Sequence, residues 1–331
     1  MKAAFIERTG GPDVVQYGDL PDPTPAPGQV CVRTVAASIN PIDIYIRLGT
    51  VAAELPKPFV TGSDFAGVVD AVGEGATRFK VGDRVWGSNQ GMLGRQGTFA
   101  EYVCPHEDYV YPLAPGIDEA DAAAVALTGI TAHLVLFFAG RLKAGDTVFV
   151  NGGTGGVGSL VVQMAKASKA TVIATVGSAE KAGIARSLGA DLVLNYRTDD
   201  IPAMVKDFTK GAGLKLWCET QPPSDFQRTF DMMAPFGRVV VMAGRTATPV
   251  FPNGSFYVKG LTLSGFAMFN MPPETQRQCA EEIMGWMKAG KLKPLIGAGM
   301  PLAEAAQAHR LQEENSLKKV GTLSGKIVVT M

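Results

Sequence analysis

One run, "TVFVNGGTGGVGSLVVQMAKA" at 147–167, constrains this chain more than any other. A β-branched apolar strand enters a cluster of glycines, and a helix comes next. Gly153, Gly155 and Gly158 fill the pattern G-x-G-x-x-G, with Thr154, Gly156 and Val157 between them. The glycines have separate mechanical roles there. They permit a tight turn, close approach of backbone to a diphosphate, and close packing of helix on strand. Val157, Leu160, Val161, Met164 and Ala165 fall on one helical face, as packing on a sheet requires. The N-terminus of such a helix offers free N–H groups and the positive end of a dipole to an anion. The run predicts a dinucleotide-binding β-α-β unit.

The sequence around and beyond this unit extends it. "TVFVNG", "TVIATV", "ADLVLNY", "LKLWCE", "GRVVVMAG" and "LTLSGF" are separated by helical stretches. That alternation implies parallel strands with right-handed crossovers, and six strands make a complete doubly wound sheet. Residues 1–120 differ. They hold short apolar or alternating runs such as "QVCVRTVAAS" and "FAGVVDAVG", punctuated by turn formers, with a helix suggested only near Pro41 to Leu48. Beyond residue 272 come two helical stretches and a last strand, "GKIVVTM". That strand has no slot in the nucleotide sheet, so it is expected to return to the first domain. Residues 261–269, "LTLSGFAMF", read as a strongly apolar final strand, an edge that invites pairing with a second copy.

The second strand of the unit ends in "ATVIATVGSAEK" at 170–181. A carboxylate at that corner would accept from a bare ribose and repel a 2′-phosphate. None stands at 175–178. Gly177 opens the turn, and Ser178, Lys181 and the nearby Tyr196 offer a hydroxyl, an ammonium and a phenol, with Arg197 alongside. Charge-assisted bonds to a phosphate gain about 1.5–3 kcal/mol each. The expected cofactor is NADPH rather than NADH.

Several classes are disfavoured. Basic and acidic residues balance at 31 each with no like-charge block, so a nucleic-acid-binding face is not expected. Residues 122–140 carry no Asp, Glu, Lys or Arg and are long enough for a bilayer. Thr128, Gly129, Thr131 and His133 interrupt them, so a helix buried between two domains is expected and no membrane span. "MKAAFIERTG" does not resemble a signal peptide, and the four cysteines lack any CxxC pair, so a cytoplasmic chain with reduced thiols is expected. "CPHE" at 104–107 reads as a strand-end turn, because Cys104 and His106 alone make an incomplete metal site.

The segments "INPIDIYIRLG" (39–49), "TGSDFAGVVDAVG" (61–73), "FKVGDRVWG" (79–87), "TFAEYV" (98–103), "LTGITAHLVL" (127–136), "NGGTGGVGS" (151–159) and "TVGSAEK" (175–181) together resemble the medium-chain dehydrogenase/reductase superfamily. Within it the chain is similar to the zinc-free quinone oxidoreductases, over essentially its whole length. The resemblance implies an α/β protein in which a Rossmann doubly wound parallel sheet is inserted into a GroES-like β-rich catalytic domain. The expected division is 1–122 catalytic, 123–270 Rossmann, and 271–331 returning to the catalytic domain. It also implies an active site in the cleft between domains, NADPH as cofactor, and homodimers or homotetramers. By the same resemblance Asn40 and Tyr45 lie beside the nicotinamide and its ribose. Thr131, Gly244, Arg245, Phe269 and Lys326 are expected along the rest of the cofactor. Asp43 and Arg47 are expected to form a structural i,i+4 pair.

Zinc alcohol dehydrogenases of this superfamily hold catalytic zinc through a Cys, a His-Glu pair and a second Cys. This chain has Asn40, then Ser63 and Asp64 in place of His-Glu, and Leu127 near the second Cys. No metal is expected. Without a Lewis acid, alcohol oxidation is disfavoured and an acceptor already electrophilic is required. A quinone or similar conjugated carbonyl fits. The alternatives are reduction of an activated C=C bond in an enone or enal, and a non-catalytic NADPH-binding protein of the kind found in lens. Enoyl-thioester reductases of this fold carry a Gly-x-Tyr proton donor, and here the triplet is Gly49-Thr50-Val51.

Overall fold

The computed structural model describes residues 1–51, 54–222 and 224–331. Two compact units emerge: Met1–Ile130 together with Met271–Met331, and Thr131–Asn270. Residues 123–130, assigned to the Rossmann domain from sequence, pack with the first unit instead, because the helix that carries them begins there.

The first unit is built from short strands whose alternation is visible in the sequence. They are β1 (Lys2–Ile6), β2 (Gln16–Asp19), β3 (Val30–Ser38), β4 (Phe59–Val60), β5 (Asp64–Val72), β6 (Arg84–Gly87), β7 (Tyr102–Val103) and β8 (Val110–Pro112), with helix α1 (Pro41–Arg47) after β3. A small antiparallel sheet has the order β2-β1-β4. In β3, Val30 and Val32 enter a core with Phe65, Val69, Val85 and Val103, while Arg33 is exposed. Helix α2 (Glu119–His133) continues as a π-helical turn, Leu134–Ala139. This is the stretch apolar enough to cross a membrane, and 78% of its most apolar window is buried within the protein.

The second unit is the predicted parallel sheet. Its strands are β9 (Thr147–Asn151), β10 (Thr171–Val176), β11 (Leu192–Asn195), β12 (Leu214–Glu219), β13 (Met233–Val241) and β14 (Thr262–Gly265). Their spatial order is β11-β10-β9-β12-β13-β14, with every pairing parallel. Helices α3 (Gly156–Ala167), α4 (Ala179–Ser187), α5 (Ile201–Phe208), α6 (Phe226–Met232) and α7 (Asn253–Val258) form the connections. Central β9 is buried on both faces, as a strand covered by helices must be. Phe149 stacks on Trp217 at 4.0 Å in its core. The final strand is shorter and less apolar than its sequence suggests. It stops at Gly265, its residues are exposed or half-buried, and Met268–Asn270 form a 3-10 turn.

The chain then returns through α8 (Pro273–Lys288), β15 (Ile296–Pro301), α9 (Ala305–Ser316) and β16 (Lys326–Thr330). β16 pairs with β3 antiparallel and with β15 parallel, in a sheet ordered β15-β16-β3-β5-β6-β8 with β7 attached to β3.

Candidate functional site

In an open parallel sheet, ligands bind outside the carboxyl ends of the strands, where strand order reverses. Here that point lies between β9 and β12. The glycine turn leaves β9 with Gly152 at φ +93, a conformation that suits glycine. A Cβ on Gly153 would stand 2.6 Å from the Ala174 Cβ, and one on Gly158 would stand 2.1 Å from the Gly152 carbonyl oxygen. Those two glycines are required by packing. Gly155 is different: a Cβ there would meet only the Gly152 oxygen, at 3.6 Å. It is the N-cap of α3, and no side chain caps that end. Open space above a helix N-terminus that no side chain caps is what a diphosphate needs, so this turn fits a dinucleotide. Thr154 is buried beside it, and Gly156, Val157 and Gly158 open the helix.

Beneath the turn lies a polar network that sequence reasoning missed. Glu219, at the end of β12 and 2% exposed, accepts hydrogen bonds from Asn151 Nδ2 (2.8 Å), Gln221 N (2.9 Å) and Trp217 Nε1 (3.1 Å). Asn151 Oδ1 accepts from Thr175 Oγ1 at 2.8 Å, and that hydroxyl accepts from Gly152 N at 3.0 Å. The network ties the glycine turn to the ends of β9, β10 and β12. Burial raises the Glu219 carboxyl above its ordinary pKa. The signal available in the sequence was a lone acid ending the apolar run "LKLWCE".

The predicted ribose corner does come together. Ser178 caps α4, accepting from Lys181 N at 3.3 Å. The Tyr196 hydroxyl lies over Gly177, 2.5 Å from where a Cβ would stand, and Tyr196 is half-exposed. Arg197 lies 5.7 Å from the Tyr196 ring centroid. Partial burial and then the neighbouring Arg197 lower the Lys181 ammonium below its ordinary pKa. Two cations facing one another favour an anion between them. Gly244 (φ +85) and exposed Arg245 follow β13, and half-buried Phe269 follows β14, on the same carboxyl edge of the sheet. Thr131 is buried on α2.

The first unit holds a second constellation. Asn40, fully buried, precedes α1, where Pro41 starts the helix, and its N–H donates to Asp43 Oδ2 at 2.7 Å. Its side chain bridges two ions. Asn40 Nδ2 donates to Asp64 Oδ2 at 2.7 Å, while Lys326 Nζ donates to Asn40 Oδ1 and to the Ile39 carbonyl at 2.6 Å. Lys326 Nζ also stands 3.7 Å from Asp64 Oδ2. Asp64 further accepts from Ser38 Oγ (2.9 Å), Ser88 Oγ (2.7 Å) and Leu127 N (3.1 Å). Thus Asn40 and Lys326 meet, and the Leu127 backbone meets Asp64. Tyr45, half-buried, lies on α1 in the same unit. The Ser63 hydroxyl donates to Asp43, whose carboxyl burial pushes up to about 7. Burial lowers the Lys326 ammonium, opposed by Asp64 and Asp43. Asp43 and Arg47 do not pair as expected. Asp43 turns to Ser63, while Arg47 bonds Glu313 and the Gly10 carbonyl. Among the described residues no three His, Cys, Asp or Glu side chains converge as a metal site.

Two family models match this chain: the alcohol dehydrogenase GroES-like domain over residues 26–115, and the zinc-binding dehydrogenase domain over 156–287. Human quinone oxidoreductase is 31% identical over 332 residues, covering 100% of this chain and 98% of that protein. A Burkholderia 2-haloacrylate reductase is 31% identical, covering 93% and 94%. The crystal structure of Escherichia coli quinone oxidoreductase complexed with NADPH superposes with a TM-score of 0.88 at 26% identity, covering 100% of both chains. With its Rossmann sheet, its GroES-like first unit and full-length similarity of this kind, the chain belongs to the quinone oxidoreductase group of the medium-chain dehydrogenase/reductase superfamily and is an oxidoreductase.

Proposed function

We propose that this protein is an NADPH-dependent, metal-independent reductase of quinones or similar conjugated carbonyls. The observation that carries the cofactor assignment is the corner of Ser178, Lys181 and Tyr196, where cations and hydroxyls gather and residues 175–178 at the end of β10 include no carboxylate. Gly153, Thr154, Gly155, Gly156, Val157 and Gly158 would hold the diphosphate at the start of α3, and Gly177, which lets Tyr196 lie close over the chain, is proposed beside the ribose. Thr131, Gly244, Arg245, Phe269 and Lys326 are proposed along the remaining length. Bound there, the nicotinamide supplies hydride. The chain's own part is to orient it through Asn40 and Tyr45, proposed as the catalytic residues, and to keep water from the reacting atoms. Lys326 and Asp64 fix which way the Asn40 amide points.

Metal independence rests on the donor set. Asn40, Ser63 and Leu127 offer an amide, a hydroxyl and an alkyl group, and both oxygens of Asp64 already accept hydrogen bonds. Tetrahedral zinc needs converging N and S ligands at about 2.0–2.3 Å. A homodimer or homotetramer paired along the β14 edge, located in the cytoplasm, completes the reading. Sedimentation giving a monomer at micromolar concentration would count against that assembly.

The similarity to a 2-haloacrylate reductase favours a second reading, reduction of an activated C=C bond. One assay separates the two: purified protein with NADPH against ortho- and para-quinones, enones and enals, following loss of nicotinamide absorbance. Turnover with quinones that survives chelator supports the first reading, and turnover only with enones or haloacrylates supports the second. Stoichiometric zinc whose removal abolishes turnover would overturn metal independence. Lys181→Ala should raise KM for NADPH far more than KM for NADH with kcat little changed, because the phosphate is held equally in ground and transition states.

A further inference from the structure

The four cysteines are scattered in sequence, yet the fold brings two of them face to face. In the β3–β7 ladder Val32 opposes Val103 and Arg33 opposes Tyr102. Val30 N donates to the Pro105 carbonyl at 3.1 Å, and Thr34 N donates to the Glu101 carbonyl at 2.9 Å. Cys31 therefore stands directly opposite Cys104. The ladder bonds fall on the even-numbered residues of β3, so this is a non-hydrogen-bonded pair. In such pairs the Cα atoms lie about 4.5 Å apart and the side chains lean together. A disulfide spans Cα separations of about 4.4–6.8 Å.

The face matters as much as the spacing. Val30, Val32 and Val103 point into the core. Cys31 and Cys104 point to the other side, with exposed Arg33 and half-buried Tyr102 as the next pair along. Cys31 is 4% exposed, while Cys104 is partly open to solvent, so a small reagent reaches the pair through Cys104. Both are free thiols, and the interaction between them lowers the Cys31 thiol below its ordinary pKa while it and burial raise that of Cys104. The other two thiols lie away from this ladder, Cys218 on β12 and Cys279 on α8. Cys218 and Cys279 are buried, which pushes the first well up and the second to about 12.

We propose that Cys31 and Cys104 are a cross-strand dithiol that a peroxide closes to a disulfide. One thiolate attacks a peroxide oxygen, giving a sulfenic acid and, from hydrogen peroxide, one water after protonation. The second thiol then displaces hydroxide from that sulfenic sulfur, forming the S–S bond and a second water. The two sulfurs lose two electrons and the peroxide gains them. Exchange with an external dithiol restores the pair. Closure ties β3 to β7 and spares Cys104 from the irreversible acids.

The test treats native protein with hydrogen peroxide, then blocks remaining thiols by alkylation and weighs the chain. The expected product has lost two hydrogens, retains two alkylatable thiols of four, links the peptides holding residues 31 and 104, and returns to four thiols with dithiothreitol. Cys31→Ser should form no link and accumulate oxygen on Cys104. Cys104→Ser should resist oxidation under the same conditions, which keeps the test decisive if the first variant folds poorly. Four alkylatable thiols after treatment, a link between other cysteines, or oxygen added to Cys104 of the unmodified chain while Cys31 remains alkylatable would each overturn the proposal.

Discussion

Lys326 donates a hydrogen bond to the side-chain oxygen of Asn40 across 286 residues of chain, and both groups are buried. The Asp64 carboxylate beyond Asn40 has this ammonium 3.7 Å away. Lys326→Met would leave that carboxylate without its cation. Removing one partner of a buried pair costs about 3–5 kcal/mol. Chemical denaturation should show a loss of that order. Adding Asp64→Asn should recover part of it, because the uncompensated charge goes too. If the two losses simply add, the residues are not coupled.

Stability should depend on pH through three buried groups, two of them acting against the third. Burial raises the folded Asp43 pKa to about 7, so the folded chain keeps a proton that the unfolded chain releases above about pH 4. That contribution is full below the unfolded pKa and is lost as pH rises toward 7. Glu219, also raised by burial, acts in the same direction. His309 opposes them. Burial, with Arg47 nearby, holds it near 3, so only the unfolded chain gains a proton below about pH 6.5. Its contribution is lost as pH falls from there toward 3. Asp43→Asn should make stability fall more steeply with acid across about pH 4–6.5. His309→Gln, which can keep the bond to Thr61 (3.1 Å), should make stability decline as pH rises over the same window. Urea midpoints at a series of pH values would show either slope, and unchanged slopes in both variants would refute the assignment.

The glycines of the turn should separate by role. Gly155→Ala adds a methyl group to open space on an ordinary backbone, so melting should be unchanged while KM for the nucleotide rises. Gly158→Ala drives a methyl group into the Gly152 carbonyl, and overpacking of this kind costs about 1–3 kcal/mol. Thermal melts with nucleotide titration distinguish the two. Equal destabilisation would mean that Gly155 serves packing, not a ligand.

At the proposed ribose corner, Ser178→Asp should keep the cap of α4, since Asp accepts from the helix N–H groups as well as Ser does. The added negative charge should repel a 2′-phosphate and shift preference toward NADH. The kcat/KM ratio for the two nucleotides is the measurement. A ratio that does not move would remove Ser178 from the phosphate site.

The Rossmann unit was legible because its evidence is local: a strand, three glycines at fixed spacing and a helical apolar face all lie within residues 147–167. The juxtaposition of Ser178, Lys181 and Tyr196 was legible for a similar reason, because they directly follow the adjacent strands β10 and β11. The Glu219 network was not, because a carboxylate at a strand end looks like any solvated acid until burial and three donors surround it. The partners of Arg47 were also hidden. Residue Glu313 lies 266 positions away, whereas Asp43 sits one helical turn off and invited a local pairing that the fold does not use. The strand at 262–265 misled in the other direction, because apolar composition does not report where pairing stops.

β16 lies between β15 and β3, not at the margin of its sheet. During synthesis residues 1–130 emerge with the Ala36–Ser38 end of β3 still lacking the strand that pairs with it beyond β7, and the whole of Thr131–Asn270 is made before residues 326–330 appear. The parallel unit can close as soon as its own six strands are out, whereas the first unit must wait for a segment made last. That same segment brings Lys326 to Asp64, so the carboxylate stays hydrated, or the region stays open, until the ammonium arrives. Vectorial synthesis therefore delays assembly of the Asn40 cluster behind the nucleotide fold and leaves an early sheet edge for chaperones to shield.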